Sequence, residues 1–112
     1  MYIEIRYVDG CPHVQTARER LAAALAATGL VGARVRQRLV PDDHEADVLQ
    51  FTGSPTILIE GVDPFADPDA QVGLCCRLYG TARGLEPAPT IEQLIGALTI
   101  APESAPAARS QG

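Results

Sequence analysis

The chain contains no lysine, no asparagine and no tryptophan, and it has only three cysteines in 112 residues. Its basic residues are nine arginines against 14 acidic residues, so the net charge is -5. This acidic balance excludes a protein that binds nucleic acid through a broad basic surface. Because the chain also lacks an apolar run of about 18 residues, no membrane-spanning helix is expected.

The N-terminal segment does not have the features of a signal peptide. MYIEIRYV alternates polar and apolar residues as a strand does, and it lacks the charged-then-apolar layout of a secretory leader. We therefore expect a cytoplasmic protein whose thiols stay reduced, so the three cysteines are not a structural disulfide framework.

Length and hydrophobic content predict one domain. Hydrophobic residues make up 46% of the chain and the mean hydropathy is +0.05, as in globular proteins that bury a core. We place this domain at residues 1–100. The last residues, APESAPAARSQG (101–112), have nothing to bury, and we predict a disordered tail.

Periodicity and capping residues predict seven elements. Cys11 stands at an N-cap position with Pro12 as the first helical residue, and Gly29 ends that helix. Asp42 with Glu45 begins a second helix as a capping box does, and Thr90 caps the last helix. The predicted strands are 2–8, 31–39, 55–60 and 76–80; the predicted helices are 12–28, 43–50 and 91–98.

The order of these elements is β-α-β-α-β-β-α, which belongs to the α/β class. The strand–helix–strand opening requires a right-handed parallel crossover, and the next two strands can close as an antiparallel pair. This is the minimal thioredoxin-like topology: a four-stranded mixed sheet with flanking helices.

Two motifs resemble the thioredoxin-like superfamily at the positions of its active site. They are Cys11-Pro12-His13-Val14, between the first strand and first helix, and Gly53-Ser54-Pro55-Thr56, at the start of the third strand. FTGSPTILIEGVDPFA, with CCRLY further on, also resembles small bacterial thioredoxin-like proteins, some of which are named as alkylmercury lyases. The resemblance covers residues 1–98. It implies a cis peptide bond before Pro55 and a substrate-binding groove formed by Ser54, Pro55 and Thr56.

The resemblance makes Cys11, Pro12 and His13 the candidate catalytic residues. A thiolate at a helix N-terminus faces unpaired N–H groups and the positive end of the helix dipole, which favour its ionised form. Val14 occupies the position of the second cysteine of a C-x-x-C pair, so a mixed disulfide on Cys11 would need another thiol to resolve it. No cofactor is implied.

Cys75 and Cys76 are the candidates for that second thiol. Adjacent strand residues point to opposite faces, so we expect Cys76 in the core with Leu78, and Cys75 on the other face with Arg77 and Tyr79. We also expect this strand to begin at the end of the sheet away from Pro55. Both expectations favour cysteines that serve only in packing.

Other polar clusters have simpler interpretations. His13 and His44, with three scattered cysteines, lack the spacing of a zinc site, and Asp63, Asp67 and Asp69 lack the glycine and glutamate of a calcium loop, so no metal is predicted. Three arginines alternate along the second strand and fall on one face, which we interpret as solvated; they are Arg34, Arg36 and Arg38.

Three functions remain open. The first is thiol exchange or redox sensing through Cys11, with a small thiol, or a protein thiol or disulfide, as partner. The second is a non-catalytic module that binds a peptide or protein partner in the groove beside Pro55. The third is the handling of an organomercurial or a soft metal by Cys11 with Cys75 or Cys76, for which Asp9 could be the proton donor.

Overall fold

The structure, a computed structural model, describes residues 1–30 and 32–100. Within these residues the chain forms five strands and three helices. In order they are β1 (Tyr2–Tyr7), α1 (Val14–Thr28), β2 (Arg34–Leu39), α2 (Asp43–Leu49), β3 (Thr56–Ile59), β4 (Tyr79–Thr81), β5 (Gly84–Glu86) and α3 (Ile91–Ile100). The predicted tail lies outside the described residues, as does Val31, where the second strand was expected to begin. No helix of the described part is long and apolar enough to cross a membrane.

β1 is the central strand of a three-stranded sheet with the order β2-β1-β3. β2 runs parallel to β1, with Ile3 beside Val35, while β3 runs antiparallel, with Ile5 beside Ile57. The predicted mixed α/β sheet is therefore present. Its parallel pair is joined through α1, as a strand–helix–strand crossover requires.

The main core lies between one face of this sheet and the helices α1 and α3. The alternation of β1 and β3 directs isoleucines to that face, and each helix presents a buried stripe of alanine and leucine. The central buried residues are Ile3, Ile5, Ala17, Leu21, Ala24, Ile57, Ile59, Leu94, Ala97 and Leu98.

A smaller cluster anchors α2. Val40, at the end of β2, packs with Ala46 of α2 and with Phe51, which follows the helix. All three are almost completely buried. This cluster fixes the chain just before the Gly53-Ser54-Pro55 motif.

The predicted helix caps are confirmed at three of four positions. Asp42 accepts the Glu45 N–H at 2.8 Å, and Thr90 and Gln93 cap each other reciprocally. Gly29 ends α1 with φ 69° and donates to Leu25 O. The N-cap of α1 was predicted wrongly: it is His13, so Cys11 and Pro12 lie before the helix.

The predicted four-stranded sheet was wrong in its last strand. The expected strand 76–80 makes one isolated bridge, between Cys76 and Ser54, and regular pairing begins only at Tyr79. β4 then pairs with β5 in a separate two-stranded sheet. At the bridge, Ser54 N–H donates to Cys75 O and Ser54 O accepts the Arg77 N–H, and the pairing extends no further because Pro55 has no N–H to donate.

Candidate functional site

The start of β3 is a buried turn with Ser54 at its centre. The Ser54-Pro55 peptide bond is cis, as predicted, and both residues are fully buried. Gly53 precedes them with φ 135°, and a Cβ at Gly53 would come within 2.8 Å of Arg77 Cβ. Glycine is therefore required here both by the backbone conformation and by close packing.

Ser54 joins two segments that carry cysteines. Its Oγ accepts the Val8 N–H at 3.1 Å, and Val8 O in turn accepts the Cys11 N–H at 3.2 Å. On its other side, the Ser54 N–H donates to Cys75 O at 2.8 Å, and Ser54 O accepts the Arg77 N–H at 3.0 Å. One serine therefore fixes the turn before Cys11 and the Cys75-Cys76 segment.

Cys11 is a free, half-buried cysteine between β1 and α1. It follows Gly10, whose φ of 74° turns the chain after the strand. His13, not Cys11, is the N-cap of α1, and its side chain makes no capping hydrogen bond. The expected placement of the Cys11 sulfur as a helix cap is thus not found.

Cys75 and Cys76 are both exposed, which corrects two expectations. Cys76 does not belong to the core: Cys76 and Leu78 face outward, while Arg77 and Tyr79 are buried. The predicted alternation holds from Cys76 to Tyr79 but with the inward face reversed by the Arg77 contacts, and Cys75 is exposed as well although it was predicted to share the face of Arg77. The segment also lies against Ser54, next to Pro55, not at the far end of the sheet.

Arg77 organises this site, and the sequence analysis did not identify its role. Its side chain is only 9% exposed; it pairs with Asp63 at 2.6 Å and also donates to Thr56 Oγ1 and Phe65 O. The guanidinium lies 4.5 Å from the centroid of the Tyr79 ring. The close packing of Arg77 against Gly53 could not be predicted from the sequence, because only the fold brings the two residues together.

Tyr79 connects the Arg77 cluster to the cis peptide. Its hydroxyl donates to Pro55 O, and its ring meets Phe65 edge-on with centroids 5.7 Å apart. Burial raises the pKa of Tyr79 above its usual value, and the nearby Arg77 charge only partly offsets this effect. Tyr79 therefore remains a hydrogen-bond donor throughout the neutral range.

A cleft of about 440 Å³ opens beside these residues. Cys76, Arg77 and Tyr79 line it together with residues of the 65–70 loop. The full lining is Thr52, Phe65, Ala66, Asp67, Ala70, Cys76, Arg77, Leu78, Tyr79 and Gly80. The cleft is large enough for part of a small molecule or for one side chain of a peptide.

The aspartates of the 61–74 loop have structural roles. Asp63 pairs with Arg77, and Asp67 accepts the Asp69 N–H in a local turn. Across residues 1–30 and 32–100, no group of three or more histidine, cysteine or acidic side chains is arranged to hold a metal ion. The loop instead forms the outer wall of the cleft.

Comparisons with known proteins give no assignment. No protein-family model matches the chain, and neither the curated proteins nor the solved structures contain a match.

Proposed function

We propose that the protein is a thioredoxin-like thiol-exchange protein in which Cys11 forms a mixed disulfide by exchange with a small-molecule or protein disulfide. The observation that carries the proposal is the pair of connections made by Ser54: its Oγ binds the strand end that leads to Cys11, and its backbone binds the Cys75-Cys76 segment. Two segments that bear thiols thus converge on one buried turn.

The sheet supports the thioredoxin-like assignment. Its order β2-β1-β3, with β1 and β2 parallel and β3 antiparallel, is the order expected for the first three strands of that topology. The two-stranded β4-β5 sheet would then be a local departure from the usual fourth strand.

The proposed reaction is thiol–disulfide exchange. The Cys11 thiolate attacks one sulfur of a disulfide R–S–S–R′, forming a bond between Cys11 Sγ and sulfur while R′–S⁻ leaves with the bonding electron pair. Because Val14 supplies no thiol, the adduct needs a second thiolate from elsewhere. An external thiolate R″–S⁻ would attack the R sulfur, forming R–S–S–R″ and releasing the Cys11 thiolate. Alternatively Cys76, which is exposed beside Ser54, would attack Cys11 Sγ, forming a Cys11–Cys76 disulfide and releasing R–S⁻.

Organomercurial handling is a second candidate, favoured by one observation. Cys75 and Cys76 were expected to lie far from Pro55, which would have made them unsuitable as a second thiol. In the structure Cys76 instead forms a β-bridge with Ser54, next to Pro55. In such a reaction a second thiolate would join Cys11 on mercury(II), and an acid would protonate the departing carbon.

The test is incubation of the native protein with glutathione disulfide, followed by intact-mass and peptide mass spectrometry. We expect one glutathione adduct on Cys11, absent from Cys11→Ser and retained by the Cys75→Ser/Cys76→Ser double variant, which is the matched control. Adduct formation only at Cys75 or Cys76 would refute the assignment of Cys11. If no cysteine reacts in the native protein and all three react after unfolding, thiol exchange is refuted and the non-catalytic binding module becomes the better hypothesis.

A parallel incubation with phenylmercury acetate distinguishes organomercurial cleavage from thiol exchange. Thiol exchange alone gives a phenylmercury–cysteine adduct and no benzene. Release of benzene, lost in both Cys11→Ser and Cys76→Ser, would establish cleavage of the carbon–mercury bond instead.

A further inference from the structure

β2 is an edge strand whose outer side carries no strand among the described residues. Five of its six residues are exposed, an unusual degree of exposure for a strand beside the central strand of the sheet. The contrast with β3, which is buried at every position, shows that the helical layer does not cover β2.

The backbone of β2 shows which groups face outward. Arg34 N–H donates to Met1 O at 2.9 Å, and Val40 N–H donates to Tyr7 O at 2.8 Å, so the even-numbered residues bond toward β1. Because these directions alternate along a strand, the N–H and C=O groups of Val35, Gln37 and Leu39 point away from the sheet. They form a ready template for one more strand.

One face of this edge is basic. Arg34, Arg36 and Arg38 lie on the same face, in register with Tyr2, Glu4 and Arg6 of β1. Arg38 forms an ion pair with Glu45, and Glu4 forms one with Arg6. Within residues 1–30 and 32–100, no carboxylate lies within salt-bridge distance of Arg34 or Arg36.

The opposite face of the same edge carries two exposed apolar residues, Val35 and Leu39, with Gln37 between them. Val35 is 47% exposed and borders a groove of about 360 Å³ between β2 and α1. Leu21, Ala22 and Leu25 form the apolar wall of this groove, and Gln15, Arg18 and Glu19 form its rim. Side chains from an added strand would enter this groove at every second position.

We infer that the β2 edge binds an extended peptide segment with acidic and apolar residues in alternation. The acidic side chains would lie beside Arg34 and Arg36, and the apolar ones would cover Val35 and the groove, while the backbone extends the sheet. A second copy of the chain is a poorer occupant, because pairing β2 with β2 sets arginines against arginines. This surface is separate from the Ser54 turn and does not depend on the proposed thiol chemistry.

The test uses a fluorescent peptide of alternating glutamate and valine, long enough to pair with all six residues of β2. Its anisotropy is titrated with the full-length protein at low and at physiological salt. We expect saturable binding that weakens about ten-fold in Arg34→Gln/Arg36→Gln, because two charge pairs with the peptide are lost. Arg83→Gln, which removes an exposed arginine elsewhere, should leave binding unchanged.

Two further measurements separate strand pairing from simple charge attraction. A peptide of the same composition with its glutamates and valines in separate blocks should bind at least about ten-fold more weakly. Gln37→Pro, which removes an outward N–H, should weaken binding while circular dichroism shows a retained fold.

Four outcomes would overturn the inference. Two of them concern the peptides: equal binding of the block peptide, and no binding of the alternating peptide at about 1 mM protein. Tighter binding of an oligothymidylate than of the alternating peptide would indicate a general anion site. A dimer in sedimentation that Gln37→Pro dissociates would indicate an edge for self-association.

Discussion

At the residue scale, Arg77 is the side chain on which the cleft depends. Arg77→Met removes the cation but leaves the Asp63 carboxylate, which is 17% exposed, without its partner. Breaking a buried ion pair in this way costs about 3–5 kcal/mol, because a charge remains desolvated. We expect a loss near the lower end of that range in urea denaturation, together with faster proteolysis within residues 61–74.

Two controls define the meaning of that loss. Arg83→Met removes an arginine that is 70% exposed, and Glu86 keeps a second partner in Arg20, so the loss should be less than about 1 kcal/mol. Adding Asp63→Asn to Arg77→Met removes the stranded charge and should recover part of the stability. If Arg77→Met and Arg83→Met cost the same, the cluster around Arg77 does not hold the loop.

The same cluster shows why the sequence predicted the position of the site better than its detailed structure. The motif around Ser54 and the turn before Cys11 are local patterns, and both were found where expected. The inward direction of Arg77 depends on Asp63, Phe65 and Tyr79, contacts that no local periodicity encodes. For this reason the sequence predicted, wrongly, that Arg77 would face away from the core and that Cys76 would be buried.

At the scale of elements, a helix end can be predicted from the sequence when one side chain hydrogen-bonds to one backbone group of the terminal turn. Asp42→Ala removes the acceptor of the Glu45 N–H, so we expect a loss of about 1 kcal/mol in chemical denaturation. Asp43→Ala is the matched control: it lies in the first turn of the same helix and makes no side-chain cap. Equal losses in the two variants would mean that only the helix dipole matters.

Strand ends were harder to predict than helix caps. β3 begins within one residue of its predicted start, because four buried residues, three of them β-branched, follow Pro55. The strand expected at 76–80 failed, because strand formation needs a partner with free backbone groups, and Ser54 offers only one bridge there. The β4-β5 hairpin instead pairs with itself across the short Ala82-Arg83 turn.

At the scale of the whole molecule, one face of the sheet is apolar and the other contains a buried charged residue. One face is the apolar layer under α1 and α3, and the other holds Glu4, which is 6% exposed. Burial by itself raises the pKa of Glu4, but the hydrogen bond and charge of Arg6, with help from Tyr2 and Arg38, outweigh it and bring the pKa below its usual 4.5. The folded protein therefore favours the ionised carboxylate on this face.

This lowered pKa predicts how stability depends on pH. A carboxylate whose pKa falls on folding contributes stability above its unfolded pKa, and that contribution is lost as the pH falls through the folded value. We expect Glu4→Gln to cost about 1–2 kcal/mol at pH 7, and the difference from wild type to shrink progressively below pH 4.5. Urea denaturation at a series of pH values measures this difference directly. Glu19→Gln, which changes an exposed glutamate on α1 that accepts a hydrogen bond from Gln15, should have the same stability difference from wild type at every pH. If the Glu4→Gln difference were constant from pH 7 to pH 3, its origin would be packing or shape, and the ionised Glu4–Arg6 pair would contribute nothing to the stability of the fold.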